Sequence, residues 1–179
     1  MSRRTSVPTA PPPVVTSPRD RYLDVYEQEH ARTLRVLRAF PREKAELRPH
    51  PKARTARELA WTFVMEQGAV EKALTTGLDW GRPRESPPPP DSFDAILEAF
   101  EKGHKHVAGL ISVQRDAELS ETIQYPTGPG RITEHPKIDF LWLMLHDQIH
   151  HRGQFSVYLR MAEGKVPAIY GPSLDEPWF

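Results

Sequence analysis

Proline placement constrains this chain more than any other feature. Apart from Pro41, the 19 prolines fall in clusters: within residues 1–18, at Pro49 and Pro51, at Pro83 and Pro87–Pro90, from Pro126 to Pro136, and from Pro167 onward. A proline has no amide proton and its ring clashes with the preceding turn, so it stops a helix interior. The clusters therefore act as punctuation and leave four long segments uninterrupted.

Each of those segments carries apolar residues at helical spacing. The first, about 20–40, has Leu23, Tyr26, His30, Leu34 and Leu37 on one stripe and is stopped by Pro41. The second, about 55–77, opens on "TARE", where Thr55 and Glu58 form a capping box, and carries Leu59, Phe63, Val70 and Leu74. The third, about 91–113, has Asp91 or Ser92 as cap and Phe93, Leu97, Phe100, Val107 and Ile111 on its stripe. The fourth, about 137–163, ends at Gly164, the expected C-cap. Its opening "IDFLWLML" is apolar nearly all round, as in a central helix or one that touches a second subunit. Between the third and fourth, "SETIQYPTGPGRITEH" has room for a short hairpin but reads mainly as a loop. The expected fold is all-α, a four-helix bundle over residues 19–179 with a C-terminal tail lying extended against it. A proline-rich arm, residues 1–18, is expected to be disordered or extended. The proline link between helices two and three has the length of a crossover.

Composition narrows the function classes. Lysine plus arginine and aspartate plus glutamate are each 24, so no net charge attracts nucleic acid or an acidic membrane. There is no cysteine, which removes disulfides, thiolate ligands and a cysteine nucleophile. No apolar run approaches the ~20 residues of a membrane span. The paired arginines near the start are followed by Pro8 and Pro11–Pro13, which break any export signal. A cytoplasmic protein is the default expectation.

The polar groups within the fourth segment carry the chemistry. In "LMLHDQIHHRGQF", His146 and His150 are four residues apart and so differ by about 40° in direction. Trp142, Gly153 and Val157 share their face, whereas His151 points more than a quarter turn away, alongside Met144 and Phe155. Two imidazoles at this spacing can clamp one divalent ion, and equally can be structural, hydrogen-bonded interface groups. A metal site needs a ligand from a facing helix. Glu66 is the best candidate, on a helix-two stripe with Thr62, Ala69 and Ala73; it requires a cation if buried and none at the stripe's wet edge. His30 is the reserve third ligand, although it and His104 also fit as partly buried core histidines. Asp147 and Gln154 project off the His146 face, and Arg152 fits a helix ion pair.

Across most of its length the chain resembles the DinB/YfiT-like family of metal-binding helical bundles. The resemblance lies in "RTLRVLRAFPREKAELRPHPKARTARELAW" (32–61), "HDQIHHRGQFSVYLR" (146–160) and "GKVPAIYGPSLDEPW" (164–178). It implies an up-down-down-up bundle, often a homodimer, holding nickel or zinc, with manganese a further possibility. His146 and His150 map onto the two ligands of the last helix. The third family ligand, a histidine after "ELAW", is Thr62 here, a poor ligand for a borderline-soft ion; Glu66, one turn later, is the expected substitute. The resemblance further implies a thiol-dependent S-transferase or isomerase acting on a small-molecule substrate, with a low-molecular-weight thiol as co-substrate; a metal in such a site would equally lower the pKa of a bound water and support a hydrolase. Two other functions compete. One is a non-catalytic, stress-associated homodimer using "IDFLWLML" and an outward His151 and Phe155. The other is a small-molecule-binding bundle with a pocket between Trp142 and the aromatic tail.

Overall fold

The computed structural model describes residues 16–80 and 87–179. Most of the proline-rich arm assigned to residues 1–18, and Pro83 of the proline link, lie outside the described residues. Among the described residues, five α-helices, a 3-10 turn (Arg42–Lys44) and one hairpin form: α1 (Pro18–Arg38), α2 (Ala56–Leu74), α3 (Phe93–Ser112), the short α4 (Asp116–Leu119), β1 (Thr122–Gly128), β2 (Arg131–Pro136) and α5 (Lys137–Met161).

Side-chain oxygens set the helix starts. Ser17 accepts from the Asp20 amide, with Pro18 at the first helical position, where its missing N–H costs nothing. Thr55 and Glu58 form the expected capping box. Ser92, rather than Asp91, caps α3. At the end of α5 the left-handed residue is Glu163, with φ 62°. Gly164 matters there for close approach instead, because a Cβ on it would lie 2.2 Å from Leu159 Cδ1.

Where a loop was the main expectation before α5, the chain forms an antiparallel hairpin. Ile123 pairs with His135 and Tyr125 with Thr133, and the register is interrupted between Pro126 and Gly128. Gly130 supplies the positive φ of the turn. Tyr125 is buried against Phe140, ring centroids 5.0 Å apart, which anchors the hairpin on α5.

Contacts between helices give their directions. Tyr22 meets Leu141 and Glu29 meets Arg152, so α1 and α5 are parallel. Gln67 meets Phe100 and Glu71 meets His106, so α2 and α3 are parallel. Glu66 meets His151 while Arg54 meets Tyr158, so α2 and α5 are antiparallel. Arg38 of α1 reaches Glu101 and Arg19 reaches Ser112, so α1 opposes α3. The bundle is therefore up-down-down-up. The parallel α2–α3 pair requires a long return, and the proline run supplies it: Arg57 donates to the Pro89 and Pro90 carbonyls and Trp61 to Pro87. Among the described residues, no helix is long and apolar enough to cross a membrane.

Two apolar clusters fill the bundle. One gathers Phe40, Phe63, Phe93, Phe100, Phe155 and Leu159; the other gathers Tyr22, Tyr26, Val70, Val107, Ile111, Leu141 and Leu145. Each of the four long helices passes from one to the other through buried polar residues: Glu29 and Thr33 on α1, Glu66 and Gln67 on α2, His104 on α3, Gln148 and Arg152 on α5. The bundle thus has a polar waist between two dry ends. Buried polar groups are costly unless paired, so this layer is where function is sought.

Candidate metal centre

Glu66 faces α5 from the middle of α2, between Phe63 and Val70 of the two apolar clusters. Its side chain is 7% exposed and that of His151 is 13% exposed, and His151 Nδ1 lies 2.7 Å from Glu66 Oε1. Asp147, one turn before His151, places Oδ1 3.8 Å from the same nitrogen. Glu66, Asp147 and His151 each offer a ligand atom within 4.8 Å of the others. Glu66 Oε2 is buried and, among the described residues, has no hydrogen-bond donor.

The electrostatics follow from burial. Desolvation lifts the Glu66 carboxyl to about 7; the His151 hydrogen bond opposes this and Asp147 adds to it. His151 is raised above its ordinary value, first by its hydrogen bond to Glu66, against the effect of burial. The three side chains converge closely enough that a single divalent cation would be held by all of them at once.

The structure brings Glu66 to Asp147 and His151, not to His146 and His150. His146 and His150 are exposed. His146 stacks on Trp142, with centroids 6.0 Å apart, and His150 Nε2 lies 2.8 Å from Gln154 Nε2. The physical reason is the phase of α5. Phe140, Met144, Asp147, His151, Phe155 and Tyr158 recur at three- and four-residue spacing, and Phe140, Phe155 and Tyr158 are buried. That series carries 147 and 151 inward and turns 146 and 150 out. His151 and Phe155 therefore do not face outward for subunit contact; Phe155 is fully buried.

Thr62 is occupied elsewhere. Its hydroxyl donates to the Glu58 carbonyl and accepts from Arg54 Nη1 at 3.0 Å. His30 stacks on His104 at 3.6 Å between centroids, within the waist between α1 and α3, and is not among the grouped ligands. Burial holds His30 neutral, its pKa pushed down to about 3 with help from His104. His104 Nε2 contacts Glu27 at 2.9 Å.

Arg152 forms the other half of the waist. Its Nη1 lies 2.7 Å from Glu29 Oε2 and donates to Thr33 Oγ1 at 3.2 Å. Tyr170 reaches in from the tail: its hydroxyl accepts from Arg152 and donates to Glu29 at 2.6 Å. Burial pushes the Glu29 carboxyl up, and Tyr170 and Arg152 together bring it below its ordinary value. The tail residues Val166 and Ile169 pack at the Phe40 end of the bundle, whereas Trp142 packs at the Tyr22 end. Trp142 instead lines a surface depression of about 500 Å³ with Thr16, Pro18, Arg21 and His146. No tail residue joins it there.

The fold and the waist define an all-α bundle with a carboxylate–imidazole group suited to a cation. The family model for the DinB family matches residues 12–178, and the chain belongs to that family. It is 28% identical over 158 residues to the uncharacterized protein YrdA of Bacillus subtilis (strain 168), covering 88% of this chain and 90% of that one. Among solved structures it is similar to a DinB-like protein from Bacillus cereus ATCC 10987, with TM-score 0.71 and 23% identity over 84% of this chain and 97% of that one. It is also similar to the DinB-like protein YjoA from Bacillus subtilis, with TM-score 0.61 and 13% identity over 80% of this chain and 92% of that one. At these identities the solved structures show the fold alone.

Proposed function

We propose that this protein is a divalent-metal-dependent enzyme whose metal is held by Glu66, Asp147 and His151. The observation that carries the reading is the buried Glu66 Oε2, which has no hydrogen-bond donor among the described residues although its own carboxyl lies against His151 and Asp147. An oxygen-rich set with one imidazole favours a harder ion than a set of three imidazoles would. Manganese or zinc therefore fits better than nickel. A bound ion supplies Lewis acidity, favouring the deprotonated form of a thiol or water beside it. That chemistry supports an S-transferase using a low-molecular-weight thiol, or a hydrolase, acting on a small molecule. Glu66 is held by α2 and His151 by α5, so closing the site depends on the packing of two long helices rather than on a loop. Phe63, with its ring edge-on to His151 at 6.3 Å, limits water on the inner side.

A homodimer through the outward face of α5 is part of the same proposal. Leu143, Val157 and Met161 are exposed there in one stripe that also holds His150.

Elemental analysis of untagged protein tests the metal. The expected result is about one equivalent of manganese or zinc, with one or more protons released on reloading at pH 6 because Glu66 gives up its proton. Protein that neither carries nor takes up a divalent ion contradicts the proposal.

A further inference from the structure

Arg54 stands at the α2 end of the site in an arrangement that sets it apart from its neighbours. Arg48 pairs with Glu58, and Arg57 with Glu46. Arg54 has no carboxylate partner among the described residues; its one side-chain hydrogen bond is to the Thr62 hydroxyl. Thr62 lies one turn before Glu66, and side chains so spaced are about 6 Å apart at Cβ. From the other side, Tyr158 on α5 donates to the Arg54 carbonyl at 2.9 Å. The residue is thus tied to both helices that build the site, while its guanidinium remains exposed.

Resting on the metal reading above, we propose that Arg54 is a binding residue for a carboxylate on the substrate or co-substrate. One N–H is used on Thr62, and four remain. A guanidinium held at one corner presents its free edge as a fork, the geometry that takes a carboxylate through two parallel hydrogen bonds. Charge selects the ligand further. With a divalent ion on two carboxylates and a neutral imidazole, the centre itself is neutral, and Arg54 leaves the mouth with one uncompensated positive charge. A monoanionic carboxylate matches that better than a phosphate dianion. The substitution of threonine at position 62 therefore has a positive consequence: its hydroxyl positions the cation that reads the ligand.

Cobalt(II)-loaded full-length protein provides the test, with thiolate-to-cobalt absorption as the readout. The probes are 3-mercaptopropionate and its neutral amide, 3-mercaptopropionamide. In wild type the acid is favoured over the amide, and the Arg54→Ala variant lowers that preference by about tenfold, as loss of a charge-assisted hydrogen bond does. Arg54→Lys, which keeps the charge but not the fork, restores part of it. Cobalt affinity and amide binding stay at wild-type levels in both variants. An acid-to-amide preference unchanged in Arg54→Ala overturns the carboxylate role alone. Protein that takes up no cobalt overturns the metal reading and this inference together.

Discussion

A carboxyl group held at a pKa of about 7 inside a helical bundle changes its protonation near neutral pH. For the metal-free protein the sign is fixed by linkage. The Glu66 pKa is raised in the folded state, so its contribution to stability is fully present below about 4.5 and is lost as pH rises through about 7. His151, also raised, loses its contribution on the alkaline side of 6.5. His30 acts in the opposite sense: with its pKa pushed down to about 3, its contribution is present above 6.5 and lost on acidification. The two slopes oppose each other in wild type between pH 4.5 and 6.5, so variants are needed to separate them. Relative to wild type, Glu66→Gln is expected to gain stability as pH rises from 4.5 to 7, by on the order of 3 kcal/mol. His30→Phe is expected to gain relative stability on going down from 6.5. Urea melts at stepped pH check both, and a Glu66→Gln difference that is flat with pH contradicts the assignment.

At the scale of elements, two features respond to substitution in opposite directions. Glu163 ends α5 in the left-handed region, which costs a side-chain-bearing residue roughly 1 kcal/mol. Glu163→Gly is expected to stabilise by about that amount, read as a raised Tm. Arg152 is buried against Glu29, and removing one partner of a buried ion pair costs about 3–5 kcal/mol. Arg152→Ala is therefore expected to destabilise strongly in chemical denaturation and to release Tyr170, seen as increased proteolysis of the tail.

Which features were legible in the sequence follows from the same elements. The capping box at Thr55, the proline stops and the apolar stripes of α1 to α3 are local signals, and they placed those helices within a few residues. The hairpin was obscured because Pro126, Pro129 and Pro136 interrupt its alternation, while its stability comes from Tyr125 packing on Phe140, a tertiary contact. Glu66 was readable because a carboxylate sits within an apolar stripe. Its partners on α5 were not fixed by spacing: His146 with His150 and Asp147 with His151 both recur at four residues. Because that helix is apolar nearly all round, hydrophobicity did not say which pair faced in. The aromatic series Phe140, Phe155 and Tyr158 carried the missing phase.

In the molecule as a whole, the polar waist accounts for the bundle's organisation. Two dry clusters hold the helices, and the layer between them contains the Glu29–Arg152–Tyr170 network on one side and the Glu66–Asp147–His151 group on the other. The up-down-down-up order makes α2 and α5 neighbours although they are far apart in sequence, which joins the carboxylate to the imidazole. The exposed stripe of α5 predicts self-association, and Val157→Lys is expected to shift the protein toward monomer in light scattering. The central claim is tested most directly by isothermal titration of manganese and zinc into two variants side by side, His146→Ala/His150→Ala and Asp147→Ala/His151→Ala. Binding retained near wild-type affinity in the first and lost in the second is the predicted result; binding that disappears with His146 and His150 and survives without Asp147 and His151 would contradict it.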